Sequence, residues 1–210
     1  MLRSLDGRSH HDANDMEIDV RKLIAGMQIS LDEKIEGPDG YADWVEAWSD
    51  GYELMPQVDA CLLGAGMYPG YEQYWSAIQN APDKPLPMTG KLPASDELEW
   101  AGFAAKTPHY VLSRSLTSVL WPTTRFVRSL EDIAALKQQS GKDIYLVGGA
   151  QTTASLIDAG LVDELRLVVH PLIAGGGKAL FAATERRRAL DLMKVQQLQG
   201  GRLSLVYGIG

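Results

Sequence analysis

The chain has 210 residues, of which 45% are hydrophobic and 22% charged, and its formal net charge is −7. This length and composition are typical of one globular domain with a substantial core. The negative charge argues against a nucleic-acid-binding surface, which needs a concentrated basic patch. The sequence also contains no apolar run of the roughly 18 residues that a membrane helix needs. We therefore expect neither nucleic acid nor a membrane as a partner.

Cys61 is the single cysteine, so the chain can form neither an intrachain disulfide nor a cysteine metal cluster, and we expect no metal site. The apolar neighbours of Cys61 predict a buried, unreactive thiol. Residues 1–19 are polar and lack hydrophobic periodicity, which predicts a flexible arm ahead of one domain over residues 20–210. Because this arm lacks the apolar core of a signal peptide, we expect a cytoplasmic location.

The first predicted strand covers Arg21–Ile29, where residues apolar on both faces indicate a central position in a sheet. A loop over residues 30–40 ends in Pro-Asp-Gly, a sequence typical of turns. The segment 41–44 is predicted to lead into a helix that extends through Glu53. The second buried strand is Val58–Gly64. A helix is expected to follow it from about Pro69, because proline suits the first helical position.

A proline-rich stretch over residues 77–106 predicts a surface excursion with one short helix, Ser95–Phe103. In this helix Ser95 is expected to be the N-cap and Leu98 to face inwards. The third predicted strand is His109–Ser113. A further helix is predicted from Leu130 to about Gln139, with Ser129 and Asp132 forming a capping box.

The segment from Ile144 to Val169 predicts a strand, a helix and a second strand with short joints, the unit of a parallel sheet. Its strands are Ile144–Val147 and Glu164–Val169, and its helix is Ala150–Ala159. Two runs, Val195–Gln199 and Arg202–Ile209, flank Gly200-Gly201 and predict a hairpin with a type I′ turn. We therefore expect an α/β protein with a mostly parallel sheet, flanking helices and a C-terminal antiparallel hairpin.

Gly148 and Gly149 lie between a buried strand and a helix N-terminus. Glycines at this place let a ligand approach bare backbone, where free N–H groups and the helix dipole favour negative charge. A tight turn with no ligand explains the same pair, so both interpretations stay open. Gly64, Gly66 and Gly70 miss the G-x-G-x-x-G fingerprint by one residue. No acidic partner in a second βαβ unit is evident, so we reject a classical dinucleotide-binding fold.

Three motifs carry a family resemblance: SLDEKIEGPDG from Ser30, IYLVGGAQT from Ile144 and VDELRLVVHPLIAGGGKALF from Val162. They resemble the reductase domain of riboflavin biosynthesis and its stand-alone relatives, which share the dihydrofolate reductase fold. The resemblance covers about residues 21–210 and departs at Glu33, where glycine is usual. It implies an NADPH-dependent reductase without a deaminase domain, which acts on a small heterocycle, carbonyl or imine.

The resemblance also implies where the cofactor would bind. Arg114, after Ser113, would contact the 2′-phosphate of NADPH with a planar fork of donors. Ala65 and Met67 depart from the family, which has arginine and threonine there. The cofactor-binding residues implied are Ala25, Ile35, Gly64, Ala65, Gly66, Met67, Ser113, Arg114, Val147, Gly148, Gly149, Ala150, Gln151 and Thr152.

Reduction also needs a proton, and Asp43 is the candidate to relay it or to orient the substrate. Asp39 and Glu46 are alternatives, and an exposed helix cap explains Asp43 equally well. Lys34 is the loop cation expected to meet a substrate phosphate, and Asp39 and Trp44 are expected to contact the substrate.

Two further hypotheses stay open: dihydrofolate reduction, and a non-catalytic ligand-binding member of the same fold. A lone histidine, His170, ends the strand before Pro171 and is expected to be structural. Relatives of this kind pair, so we also expect a homodimer.

Overall fold

The computed structural model describes residues 20–45, 52–87 and 89–210. Its strands are β1 (Leu23–Ser30), β2 (Val58–Gly64), β3 (His109–Leu112), β4 (Thr124–Val127), β5 (Asp143–Gly148), β6 (Glu164–His170), β7 (Leu190–Gln197) and β8 (Leu203–Ile209). Its helices are α1 (Tyr68–Asn80), α2 (Ser95–Ala104), α3 (Leu130–Lys137) and α4 (Ala150–Asp158). The predicted N-terminal arm and the alternative acid Glu46 lie outside the described residues.

The eight strands form one sheet in the order β4-β3-β2-β5-β1-β6-β8-β7. All neighbouring pairs from β4 to β6 are parallel, and β8 is antiparallel to both β6 and β7. The mostly parallel sheet with a C-terminal antiparallel hairpin is therefore confirmed. The first strand lies centrally, between β5 and β6, as its apolar faces predicted.

The prediction differs most from the structure at two strands. β4 was missed, because Thr124–Val127 contains one buried residue and shows no apolar run. β7 starts at Leu190 rather than at Val195, and every one of its residues is exposed. Both strands lie at the edges of the sheet, where burial on both faces does not constrain the sequence.

The hairpin between β7 and β8 is confirmed. Gly200 and Gly201 both have positive φ, at 72° and 75°, but the loop contains three residues, 199–201, rather than the two of the predicted type I′ turn. The Leu198 N–H donates to the Arg202 carbonyl at 2.8 Å and closes the loop. Pairing within the strands ends one residue earlier, at Gln197 and Leu203.

The capping box of α3 is confirmed, since Asp132 N–H donates to Ser129 Oγ at 3.2 Å and Ser129 N–H donates to Asp132 Oδ2 at 3.1 Å. The cap predicted for α2 is wrong by one residue. Ala94 is the N-cap, and its N–H donates to Glu97 Oε2 at 2.9 Å. Leu98 is 40% exposed, so its inward placement is also wrong. The buried face of α2 consists of Glu97, Trp100, Ala101 and Ala104.

The predicted helix after residue 40 is not helical where it is described. Residues 43 and 44 form a turn, closed by a hydrogen bond from Val45 N–H to the Ala42 carbonyl at 3.1 Å. The remainder of that predicted helix falls largely on residues 46–51, which lie outside the described part of the chain.

Two apolar cores lie on opposite faces of the sheet. One is formed with α3 and α4 and contains Leu23, Leu146 and Leu165. The other is rich in aromatic residues and is formed with α1, α2 and the segment that precedes β2. Cys61 is buried in this second core, as predicted, and burial raises the pKa of its thiol. Among the described residues no helix has both the length and the hydropathy of a membrane span.

Candidate functional site

The carboxyl ends of β2 and β5 meet at one edge of the sheet. After β2, the Met67 N–H donates to the Gly64 carbonyl at 3.1 Å and closes a turn. The Ala65 N–H donates to the Leu112 carbonyl at 3.2 Å. After β5, Gly149 is the N-cap of α4. The first amides of α4 have no intrahelical acceptor, so this edge is suited to an anionic group.

Gly148 and Gly149 both have positive φ, at 128° and 92°, a conformation that glycine adopts without strain. Gly148 is not the bare backbone that the sequence suggested. A Cβ built on it would overlap the methyl carbon of Met27 and would lie 3.7 Å from Met67 Sδ. Gly149 is more open, since a Cβ there would meet nothing nearer than 3.6 Å. The methionines therefore cover one glycine and leave the next accessible.

Gly64 serves the packing of α4 against β2. A Cβ at this position would overlap Thr152 Oγ1. Thr152 is thus turned towards β2, and its hydroxyl fills the space that the missing side chain leaves. At this position the glycine and the threonine, both predicted to bind the cofactor, contact each other.

Ser113 and Arg114 follow β3 on the other side of β2. The buried Ser113 Oγ accepts the Leu116 N–H at 2.8 Å and shapes the next turn. Arg128 stabilises the same turn through Nη1, which donates to the Ser113 carbonyl at 2.6 Å. Arg114 is exposed, and within the described part of the chain its guanidinium has no hydrogen-bond or ion-pair partner. It is therefore available to an anion.

The loop 31–40 and the segment 172–180, which we call the paired loops, hold each other in place. Asp32 accepts the N–H groups of Ala174 and Gly175, both at 2.9 Å, and the Ser30 hydroxyl at 2.7 Å. These hydrogen bonds lower the pKa of Asp32 to about 2, with the Ser30 hydroxyl making the largest contribution. A Cβ on Gly177 would overlap the Glu36 carbonyl, so the third glycine allows the loops to touch. Two of the three family motifs thus form one contact.

The predicted catalytic and substrate residues lie on or beside the paired loops. Lys34 forms a backbone bridge with Ala179. Asp39 and Asp43 are exposed, and the half-buried Trp44 has a buried indole N–H with no partner among the described residues. None of these four side chains lines the cleft described below. Two predicted cofactor contacts lie on the α4 side of the sheet. Ala25 belongs to the core there, and Ile35 packs against it.

A cleft of about 460 Å³ opens on the other face of the sheet, between β1, β5, α1, α2 and the segment 52–56. Of the predicted cofactor residues, Met67 and Val147 line it. The sequence analysis missed its aromatic walls, because the contributing residues are dispersed over the chain. These residues are Tyr52, Tyr71, Tyr74, Trp75, Trp100 and Tyr145.

Gly26 on β1 creates part of the cleft floor. A Cβ there would lie 2.9 Å from Tyr145 Cε2 and 3.3 Å from Tyr52 Cδ1, so only glycine lets both rings approach the strand. Two residues further along β1, Gln28 lines the cleft, and its Oε1 accepts a hydrogen bond from His170 Nε2 at 2.8 Å. His170 therefore supports a cleft residue, which agrees with the structural role expected for it.

The wall formed by residues 52–56 is fixed to the sheet by Arg166. Its guanidinium donates to the Tyr52 carbonyl at 2.6 Å, to Gln57 Oε1 at 2.8 Å and to Glu164 Oε1 at 2.5 Å. Arg166 and Glu164 are both buried, so this ion pair is committed to holding the wall. The alternating Glu164 and Arg166 were the available signal in the sequence, since charges inside an otherwise apolar strand need partners.

Comparison with known proteins agrees with this architecture. The family model of the RibD C-terminal domain matches residues 21–203. An uncharacterised Bacillus subtilis protein, YyaP, is 33% identical over 191 residues, which cover 89% of this chain and 94% of that protein.

Two solved structures show the same fold. RibD of Acinetobacter baumannii superposes with a TM-score of 0.64 at 14% identity, covering 93% of this chain and 59% of that one. Dihydrofolate reductase of Enterococcus faecalis, complexed with NADP(H), superposes with a TM-score of 0.54 at 15% identity, covering 90% and 96%. The expected dihydrofolate reductase-like fold is thus confirmed, and the chain belongs to the RibD C-terminal domain family.

Proposed function

We propose that the protein is an NADPH-dependent reductase that acts on a carbon–nitrogen or carbon–oxygen double bond of a small molecule. One observation carries this proposal: an anion-binding edge and an aromatic cleft share Met67 and Val147 as a common border. An extended cofactor with phosphates at one end and a planar ring at the other suits that continuity. Membership of a reductase domain family and the NADP(H) complex of the Enterococcus enzyme support it.

The residues present fit such a cofactor at its phosphate end. The open Gly149 and the first amides of α4 would hold a phosphate, and Arg114 would hold the 2′-phosphate. Ala65 and Met67 offer only backbone groups where the family has side-chain donors. When bound, NADPH would supply a hydride. The methionine over Gly148 is unbranched and flexible, so Met27 can yield to a ring without moving the strand.

The chain itself has to position a substrate and exclude water. The aromatic walls of the cleft do both, because they bury a planar molecule beside Val147. We retain Asp43 as the proposed proton relay. Asp96 is the competing acid, since it lines the cleft directly. Comparing the turnover of Asp43→Asn and Asp96→Asn identifies which acid the reaction needs.

Arg114→Ala tests the cofactor assignment. Binding of NADPH and of NADH is measured by calorimetry, with Arg187→Ala as the control, because Arg187 is also exposed and lies before β7. We expect Arg114→Ala to weaken NADPH binding about tenfold and to leave NADH unchanged, because a guanidinium makes charge-assisted hydrogen bonds to a phosphate. An equal loss for both nucleotides, or no loss, would contradict the assignment, and no binding of either to the unmodified protein would end the reductase proposal.

A further inference from the structure

The charged side chains of the aromatic cleft are of one sign. Among the described residues that line it, Glu53 and Asp96 are the only ones with a formal charge. A cation in the cleft would favour a phosphorylated substrate, and the described lining offers carboxylates instead.

Two cations beside the cleft, among the described residues, are already paired. Arg166 behind the wall donates to Glu164, Gln57 and the Tyr52 carbonyl. At the rim, Lys194 Nζ lies 3.0 Å from Glu53 Oε2. Lys34, from which the sequence led us to expect a phosphate contact, does not line the cleft. Arg166 and Lys194 therefore already hold the walls of the cleft through their own partners.

The aromatic rings that line the cleft pack against one another. Trp100 lies against Tyr145 edge to face with centroids 5.5 Å apart, and Trp75 lies 6.2 Å from Trp100. Met27, Met55 and Met67 complete the lining with polarisable thioethers. Aromatic faces attract both planar rings and cations, because the face of a π-system is electron-rich.

We propose that this cleft binds a planar aromatic molecule that carries no anionic group, either neutral or cationic, and discriminates against phosphorylated ligands. As a statement about the substrate it rests on the proposed reductase function; as a statement about binding it can be tested without any cofactor. The specificity of this chain then differs from that expected of a reductase acting on a ribose phosphate or ribityl phosphate.

Three naphthalene derivatives that differ in charge test the proposal: 1-naphthylmethylamine, 1-naphthol and 1-naphthyl phosphate. Each is titrated into the cofactor-free protein by calorimetry at pH 7.5 and about 0.1 M salt, where surface charges are partly screened. We expect the amine and the naphthol to bind at least about tenfold more tightly than the phosphate. Equal or tighter binding of the phosphate, or no binding of any of the three, would overturn the proposal.

Gly70→Leu locates the bound probe. Gly70 lies on α1, lines the cleft, and a Cβ there meets nothing within 4 Å, so a larger side chain enters open space. Gly102→Leu is the matched control, because Gly102 on α2 is equally open but does not line this cleft. We expect Gly70→Leu to abolish binding of the amine and the naphthol and Gly102→Leu to retain it. Loss in both variants or in neither would contradict the location.

Asp96→Lys tests the sign of the charge. We expect it to improve binding of the naphthyl phosphate at least about fivefold and to weaken binding of the amine. Glu99→Lys makes the same change on the same helix at an exposed position away from the cleft and should alter neither. An equal effect of both variants would mean that overall charge, and not the cleft, sets the preference.

The outcomes separate the two proposals. If the naphthyl series behaves as expected but NADPH does not bind, the cleft specificity stands and the reductase proposal fails. If NADPH binds with the expected dependence on Arg114 but the phosphate probe is preferred, the reductase stands and the cleft specificity fails.

Discussion

His109 is fully buried in the aromatic core and has a single tautomer consistent with its contacts. Its Nδ1–H donates to the Thr107 carbonyl at 2.8 Å, so Nε2 accepts the Tyr71 hydroxyl at 3.3 Å. The same hydroxyl accepts the Trp100 indole N–H at 3.2 Å. This chain of hydrogen bonds has no place for a second proton on the imidazole, and burial lowers the pKa of His109 to about 4.

Stability should consequently depend on pH through His109. The imidazole is neutral in the folded state and protonates near pH 6.5 once unfolded, so its contribution is complete above pH 6.5 and is lost towards pH 4. We expect the free energy of unfolding to fall by about 3 kcal/mol over this range, from the difference between the two pKa values. Urea denaturation at a series of pH values measures it.

The variant His109→Gln removes that titration. The free energy of unfolding of this variant will be lower at pH 7.5. Its fall between pH 6.5 and 4 should be smaller than in the unmodified protein by the amount that His109 contributes. An unchanged decline would show that other groups cause it. Asp32 contributes little over this range, because the stabilisation from its lowered pKa is present above its ordinary pKa of 3.8 and is lost as the pH falls towards 2.

The third glycine of the paired loops offers a second test at this scale. Gly177→Ala places a Cβ on the Glu36 carbonyl, whereas Gly175→Ala, also at positive φ, meets nothing within 4 Å. We expect a loss of about 1 kcal/mol for Gly175→Ala, from backbone strain alone, and clearly more for Gly177→Ala. Chemical denaturation of both variants compares them, and equal losses would mean that the loops separate easily.

At the scale of the elements, the two helix caps give a matched pair. Ser129 Oγ caps α3, whereas Ser95 is already inside α2 and makes no cap hydrogen bond. We expect Ser129→Ala to lower the free energy of unfolding by about 1 kcal/mol and Ser95→Ala to leave it almost unchanged. If denaturation experiments show a larger loss for Ser95→Ala than for Ser129→Ala, Ser95 and not Ala94 is the cap of α2.

The strands and helices followed from local patterns wherever an element is buried. β1, β2, β5 and β6 are largely apolar because both of their faces are covered. The capping box predicted the start of α3. The edge strand β4 carries no such pattern. The cap of α2 was misplaced because serine suits an N-cap, while the structure uses the Glu97 side chain and the Ala94 backbone.

The site was harder to predict because it depends on contacts between distant segments. The residues at the ends of β2, β3 and β5 could be named from glycines and from a resemblance. That Met27 covers Gly148, and that Thr152 fills the space at Gly64, depends on strand order and register, which local patterns do not contain. The cleft aromatics lie between residues 52 and 145, so no single window of sequence reveals them.

At the scale of the whole molecule, β7 leaves an apolar edge exposed. Leu192, Met193 and Val195 are each 57–60% exposed, and an edge strand of this kind is a site for association. We propose that two copies pair through this strand.

The variant Leu192→Lys should therefore convert a dimer into a monomer, because a charge placed in an apolar interface has no partner there. Light scattering after size-exclusion chromatography measures the mass. Asp191→Lys is the control, since it changes charge at the neighbouring exposed position without removing apolar area. A monomeric unmodified protein, or a dimer that persists in Leu192→Lys, would exclude pairing through β7.

The position of β1 has a consequence for biosynthesis. The strand is synthesised well before its two neighbours in the sheet, which begin at Asp143 and Glu164. The loop that follows it acquires its shape only from residues 172–180, which are synthesised later still. The apolar strand β1 must consequently remain unpaired until these segments have been synthesised, and during this interval a chaperone can protect it from aggregation.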